Sequence, residues 1–253
     1  MAESQPTFEY SEKQLEWLLH CTSAERMKPY YVRARGDPWV AFHLYVRNTE
    51  ISAALYGVVQ ALEVSLRNVI HNRLREDLSS QEWWSSLPLH DRELSDIDDA
   101  KKKIADRLQT PTPSQIVAEL NFGFWVALFA NSYEKQIWVP HTSRVFPGKL
   151  SRKTLHERLI WLRDLRNRIA HHETLIRRNP AKDYEDLLET IGWISPTVRK
   201  WVEHHSSFPE VYSRRIPKRP KASPTEPSAG DIPSATNESH RSLGQSPATP
   251  GDN

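Results

Sequence analysis

The chain lacks several features that define whole classes of protein. It has one cysteine, Cys21, among 253 residues, which excludes a disulfide framework and a cysteine zinc site and is typical of a reducing compartment. No apolar run approaches the roughly 20 residues of a membrane-spanning helix, and the N-terminus shows no basic-then-apolar secretion signal. We therefore expect a cytoplasmic protein without a membrane partner.

An excess of one charge sign is also missing from the body of the chain. Of the 34 Lys and Arg and the 32 Asp and Glu, six and four respectively follow Ser213, which leaves 28 of each in residues 1–213. A balanced body excludes a surface that is basic all over, although local basic patches remain. The candidates, each of which is alternatively a solvated face, are Arg144–Lys153 and the set Arg163, Arg166, Arg168, Arg177 and Arg178.

Large aromatic residues stop at Tyr212, although the chain continues. Seven of the 18 prolines lie beyond Arg214, among abundant Ser and Thr. Such a segment cannot bury enough apolar surface to offset its chain entropy. We therefore expect a flexible N-terminus at residues 1–10, one folded domain at residues 11–212, and a disordered tail at residues 213–253.

Helix signals recur along the body, whereas alternating strand patterns are scarce. The helix-start signals are the Ser11–Gln14 capping box, Asp37-Pro38, Ser114 after a Pro-Thr-Pro break, Ser151, Pro180 and Pro196. Residues 51–78 and 155–169 carry apolar stripes at helical spacing. Residues 90–108 predict an exposed helix, and the aromatic-rich residues 116–138 predict a buried helical hairpin. Gly123 lies either at its helix–helix junction or where another backbone approaches closely. The predicted fold class is all-α.

The end of the second stripe carries the residues that suggest chemistry. The stretch 162–174 reads LRDLRNRIAHHET and contains Arg166, Asn167, His171 and His172. Metal-free RNA cleavage requires a fixed cation beside a group that titrates near neutrality, as histidine does. His171 would move the proton of the RNA 2′-hydroxyl, Arg166 would stabilise the phosphate, and Asn167 would orient either group. No carboxylate cluster accompanies them, so we expect neither a metal ion nor a cofactor.

Helical geometry constrains how these residues can meet. At about 100° per residue, Arg166 falls inside the apolar stripe and His171 lies about 140° away from it. A core-directed arginine needs an acceptor, and Glu63, at the border of the other stripe, is the predicted partner. The arginine and the histidine can meet only if the helix ends there or if a second subunit contributes one of them. We therefore expect a homodimer.

The same residue types recur in the other striped helix. Arg67, Asn68 and His71 read as a motif of similar spacing, with Arg67 and His71 on one outer face. We interpret this set as a polar face or as an ion pair with Glu63, and not as a second reactive site.

Three separated blocks of sequence match one family pattern. They are LEVSLRN at 62–68, AELNFGFWVALF at 118–129 with Trp138 and Phe146 after it, and LRDLRNRIAHHE at 162–173. Over about residues 11–205 the chain resembles the Abi-like family of bacterial abortive-infection proteins, which belong to the HEPN helical superfamily. The resemblance implies a HEPN-like helical bundle with additional helices and a metal-independent endoribonuclease, toxin-like, in phage defence.

The resemblance also implies roles for residues and partners. The superfamily motif falls on Arg166, Asn167 and His171 and is extended by His172, and which of the two histidines is catalytic stays open. From the geometry above we expect Glu63 to be an accessory residue, and we expect Arg163, Arg168 and Arg177 to bind RNA. Implied partners are an RNA substrate or small RNA, a second copy of the chain, and a neutralising antitoxin or RNA. Two alternatives stay open: a non-catalytic RNA- or protein-binding module, and a purely structural helical adaptor.

Overall fold

The computed structural model describes residues 8, 10–107 and 110–217. Within these residues the protein is helical and contains no strand, which confirms the all-α prediction. The helices are α1 (Glu12–Thr22), α2 (Ala24–Arg33), α3 (Pro38–Asp77), α4 (Asp91–Ala105), α5 (Pro113–Glu119), α6 (Phe122–Ala127), α7 (Arg152–Ala170), α8 (Pro180–Ile194), α9 (Pro196–His205) and α10 (Phe208–Ser213). Short 3₁₀ turns at Trp83–Ser86, Asn131–Tyr133 and Thr142–Val145 and a π turn at Glu134–Trp138 complete the order.

The predicted terminal segments fall largely outside the described residues. This holds for residues 1–7 and 9 of the N-terminal segment and for residues 218–253 of the tail. The ring of Tyr10 stacks on that of Phe42 with 6.3 Å between centroids.

Among the described residues, none of the helices combines the length and the apolar character that crossing a membrane requires.

Helix α3 is the central helix of the fold. It has 40 residues and therefore measures about 60 Å. Asp37 caps it by accepting the N–H of Val40 at 3.1 Å, and Pro38 occupies the first turn. The two helical segments that the sequence predicts from Pro38 and Ile51 are thus one helix, against which α2, α6, α7, α8 and α10 all pack.

The core has two parts, both of which use α3. A small cluster joins α2 to the first turns of α3 through Met27, Tyr30 and Phe42. The main cluster covers the rest of α3 and includes the fully buried Trp83 and Trp125. Burial of apolar side chains such as these is the dominant favourable contribution to folding.

Helix α4 is less exposed than its composition predicts. Its residues Ile97 and Ile104 enter the main core, and Glu93 is only 5% exposed. The hydroxyl of Tyr133 donates to Glu93 at 2.6 Å and accepts the N–H of His90 at 2.8 Å. A buried carboxylate with a specific donor is a tertiary contact that helical periodicity cannot reveal.

The prediction of one regular helical hairpin over residues 116–138 is wrong. The segment forms α5, α6 and short turns. Asn121 starts α6 by accepting the N–H of Phe124 at 3.0 Å, so a cap interrupts what would otherwise be one helix. Gly123 is indeed at this junction, and a Cβ there would lie 2.9 Å from Asn121 Oδ1, a side-chain atom and not another backbone.

Most of the predicted helix starts are confirmed. The capping box at Ser11 is present, Ser151 caps α7, and α8 and α9 begin at their prolines. Helix α5 is the exception, because Thr112 caps it and not Ser114. Pro113 takes the first helical position, where its missing N–H costs nothing, and this places the cap one residue before it.

Candidate functional site

Arg166 lies where α7 meets α3, and its charge is paired there. Its Nε donates a hydrogen bond to Glu63 Oε1 at 2.7 Å, so the predicted partner of this arginine is confirmed. The two side chains are 31% and 25% exposed, so solvent screens the pair in part. Among the described residues, the two terminal nitrogens of Arg166 have no hydrogen-bond partner. The guanidinium is therefore held by one edge only.

The motif histidines form the C-terminal cap of α7. The N–H of His172 reaches the Ile169 carbonyl at 3.1 Å, and the N–H of Glu173 reaches the Arg168 carbonyl at 2.8 Å. This pair of bonds is the Schellman arrangement, which requires a left-handed residue just after the helix. His172 takes that conformation with φ +56°, although glycine is the residue that adopts it without strain.

Within one chain, the motif arginine and histidines are not joined. His171 has φ −92° and ψ 10°, which is close enough to helical that its side chain keeps roughly the 140° offset from Arg166. Both histidines are exposed. No hydrogen bond or ion pair links either of them to Arg166 within the described residues. The helix ends at the motif, yet its ending does not bring the two groups together.

Asn167 and His171 share an exposed face of α7 with an apolar residue, Ile160. At about 100° per residue the three lie within roughly 40° of one another around the helix. Ile160 keeps 39% of its surface exposed, and the two motif residues are exposed as well. An apolar side chain between polar ones on an open helical face suits packing by another protein chain.

The three arginines that we expect to bind RNA have different surroundings. Arg168 pairs with Asp164 at 3.2 Å and with Glu173 at 3.4 Å. Arg177 is exposed in the loop after α7 and forms no ion pair with a described residue. Arg163 is half-buried on another face of α7. Arg168 and Arg177 line one groove, and Arg163 does not.

Arg178 belongs to the same basic patch in the sequence, but its side chain is only 6% exposed and forms structural contacts. Its guanidinium bonds both carboxylate oxygens of Asp183 at 2.9 and 2.7 Å and Asp164 at 2.9 Å. It also lies 4.1 Å from the ring centre of Trp161, whose indole N–H donates to Asp183 at 3.1 Å. Sequence analysis does not predict this network. The one signal for it in the sequence is Asp183, an acidic residue in the first turn of α8.

Two unpredicted contacts fix the loop that follows the motif. Arg26 of α2 donates to the carbonyl of His172 at 2.6 Å, and Asn48 of α3 accepts the N–H of Leu175 at 2.7 Å. Each contact satisfies a backbone group that would otherwise need water. The cap of α7 is thus held from both α2 and α3.

For the second motif-like set, on α3, the expected position of His71 is wrong, and of the two interpretations the ion pair with Glu63 is not formed. His71 is buried and not on an outer face, because the turn after α3 brings Trp83 over it; its Nδ1 accepts the indole N–H at 3.0 Å. Arg67 does not pair with Glu63 and instead donates to the Ala118 carbonyl at 3.2 Å. A polar atom buried with a specific partner has a packing role.

Comparison with known proteins identifies no relative: no family model, no curated protein and no solved structure matches the chain. The resemblance to the Abi-like family therefore stays a prediction. Within the described part of the chain, no group of three or more His, Cys, Asp or Glu side chains is arranged to hold a metal ion. The residues that the geometry singles out are Glu63 with Arg166, and the capping histidines.

His71 should make stability depend on pH. Burial, and to a smaller extent the charge of Arg75, lowers the pKa of His71 below its ordinary value. The unfolded chain therefore binds this proton more readily, so the free energy of unfolding should fall as the pH drops below about 6.5. His71→Gln keeps an acceptor for Trp83 and cannot titrate. Between neutral and mildly acidic pH, urea denaturation should show a smaller loss of the free energy of unfolding for this variant than for the wild type. An equal loss in both proteins would contradict the role of His71 in the pH dependence.

The left-handed backbone of His172 should cost stability. We expect His172→Gly to raise the free energy of unfolding by up to about 1 kcal/mol, because glycine removes the strain and the exposed side chain loses no packing. His171→Gly is the matched control and should lower it, because φ at that position is ordinary. Thermal denaturation measures both effects. A destabilised His172 variant would mean that the imidazole makes a contact worth more than the strain.

Proposed function

We propose that the protein is a metal-independent endoribonuclease of the HEPN type, acting in the cytoplasm as a toxin-like factor in phage defence. The observation that carries the proposal is the setting of Arg166. Glu63 holds its Nε at 2.7 Å, while its terminal nitrogens have no hydrogen-bond partner among the described residues. A guanidinium fixed by one edge offers a preorganised pair of N–H groups to phosphate oxygens. Such groups stabilise charge that develops in a transition state.

The proton transfers are assigned to His171. It is exposed at the end of α7, where a polymeric substrate can reach it. As a general base, the imidazole removes the proton of the 2′-hydroxyl, whose oxygen attacks the adjacent phosphorus. The imidazolium then returns this proton to the 5′-oxygen as the P–O5′ bond breaks, and the products are a 2′,3′-cyclic phosphate and a 5′-hydroxyl. Asn167 orients the imidazole or the phosphate, and DNA is spared because it has no 2′-hydroxyl.

A homodimer is part of the proposed mechanism. Arg166 and His171 lie about 140° apart around α7 in one chain, so one site needs residues from two chains. The exposed face that contains Ile160, Asn167 and His171 is the proposed contact. A two-fold axis beside Asn167, which lies between Arg166 and His171 around α7, would turn His171 of each copy toward Arg166 of its partner.

A second candidate function is a non-catalytic RNA- or protein-binding module of a defence or toxin–antitoxin complex. One observation favours it: Arg166 is paired with Glu63 and has no contact with His171. An arginine with open nitrogens binds phosphate whether or not a base stands beside it. In that case a small RNA or an antitoxin would occupy the motif without being cut.

The cleavage test uses purified protein in the presence of EDTA. Wild-type protein should cut single-stranded RNA and leave DNA of the same sequence intact. His171→Ala should lower the rate by roughly 10²- to 10⁴-fold, because a positioned acid or base contributes about that much. His204→Ala, at the C-terminal end of α9, is the control and should cut at the wild-type rate. Equal cleavage by the His171 variant would exclude the proposed site, whereas uncut RNA bound by wild-type protein would support the binding module.

A mixing experiment tests whether the site is shared between subunits. Arg166→Ala and His171→Ala proteins should each be inactive. After subunit exchange, a mixed dimer with a shared site has one intact pair, so an equal mixture should recover about a quarter of wild-type activity. A site contained within one chain would recover none. Mixing Arg166→Ala with Glu63→Ala is the control and should recover no more than the Glu63 variant alone, because Glu63 acts on the arginine of its own chain.

A further inference from the structure

A groove that the sequence does not predict lies beside the motif. Its volume is about 790 Å³. One wall is α2 with the turn after it, the opposite wall is the outer side of α7, and residues 174–178 of the loop complete it. The hydrogen bond from Arg26 to the His172 carbonyl joins the two walls at the end of α7.

The groove concentrates positive charge in a protein whose body is balanced. Six cationic side chains line it against two acidic ones, Glu25 and Asp164. Asp164 is occupied by Arg168 and Arg178. The remaining cations are exposed and form no ion pair with any described residue; they are Lys28, Arg33, Arg35 and Arg177. A group of unpaired cations in one groove is complementary to a chain of phosphates.

The groove also presents apolar surfaces on both walls. Trp161 of α7 is 50% exposed and Val32 of α2 is 73% exposed. Arg178 lies against the Trp161 ring, and Asp183 holds the indole nitrogen, so the ring is fixed in place while much of it stays accessible. A rigid aromatic ring beside a basic track is the arrangement that binds single-stranded nucleic acid, because bases stack on it without regard to sequence.

The groove leads to the motif. Trp161, Asp164 and Arg168 lie within roughly 60° of one another around α7, and His171 follows about 20° beyond Asp164. A strand that runs along the groove toward the end of α7 would therefore arrive at the capping histidines. An acidic peptide would meet the cations equally well but would make no use of the exposed indole.

We propose that this groove binds single-stranded RNA, with Lys28, Arg33, Arg35 and Arg177 on its phosphates and a base stacked on Trp161. The inference rests on the proposed function for its ligand class and extends it by the path along which substrate enters. It assigns strand binding to residues outside the motif, in α2, in the turn after α2 and in the loop after α7. It also makes Trp161 the residue that sets the position of one base relative to His171.

The test measures RNA binding in the His171→Ala background, so that cleavage does not interfere. The groove variant is Lys28→Ala with Arg33→Ala and Arg177→Ala, and the control variant is Arg144→Ala with Lys149→Ala and Lys200→Ala, all exposed residues. In a salt titration by fluorescence anisotropy, the groove variant should lower the slope of log K against log salt by about two. The control variant should leave the slope unchanged.

The stacking contact has its own measurement. Trp161→Ala should weaken binding on the order of tenfold, whereas Trp201→Ala, a 61% exposed tryptophan elsewhere, should not. Because Trp161→Ala also removes contacts to Arg178 and Asp183, photo-crosslinking of bromouridine RNA to the His171→Ala protein serves as a second readout. The crosslink should map to Trp161.

The outcomes separate this proposal from the proposed function. Equal losses for the groove and control variants, a crosslink elsewhere, or displacement of RNA by polyglutamate at equal charge concentration would overturn the groove. If the wild-type protein cleaves RNA and the groove variant cleaves it equally well, the groove fails and the ribonuclease stands. If binding depends on the groove but wild-type protein leaves RNA uncut, the groove stands and the ribonuclease fails.

Discussion

The contact between Glu63 and Arg166 is the constraint around which the site is arranged. An arginine on the apolar side of a helix is stabilised by a paired carboxylate, and α7 packs on α3 in the register that places Glu63 opposite the guanidinium. The same contact at 2.7 Å uses Nε and no other nitrogen of the arginine. One interaction therefore aligns two helices and leaves the terminal nitrogens of Arg166 accessible to an anionic ligand.

Much of the fold follows from local signals. The capping residues at Ser11, Asp37 and Ser151 and the prolines that open α8 and α9 all act within one helical turn, so the sequence near them contains the whole cause. The sequence-based predictions are wrong where the cause of a residue's position lies in another segment of the chain. Glu93 is buried because Tyr133 reaches it from another segment, and no spacing within α4 records that contact.

The same distinction applies to the candidate site. The pairing of Arg166 was predictable, because its angular position demanded an acceptor and the other striped helix supplied one at its border. The groove was not predictable, because its walls are more than 100 residues apart in the chain, as Arg26 and His172 show. His71 was misplaced for a similar reason: the turn that covers it lies outside its own helix.

The uninterrupted length of α3 has a consequence for how the sequence can vary. The helix carries the α2 cluster near Phe42 and the acceptor for α7 at Glu63. It therefore fixes how the two walls of the groove, α2 and α7, are oriented relative to each other around its axis. Inserting one residue between these points would turn one wall by about 100° relative to the other, whereas seven residues would return it to within about 20°. Seven added residues would nevertheless move Phe42 and Glu63 about 10 Å further apart along the helix axis, so the length of α3 between these two residues is fixed by the walls that it carries.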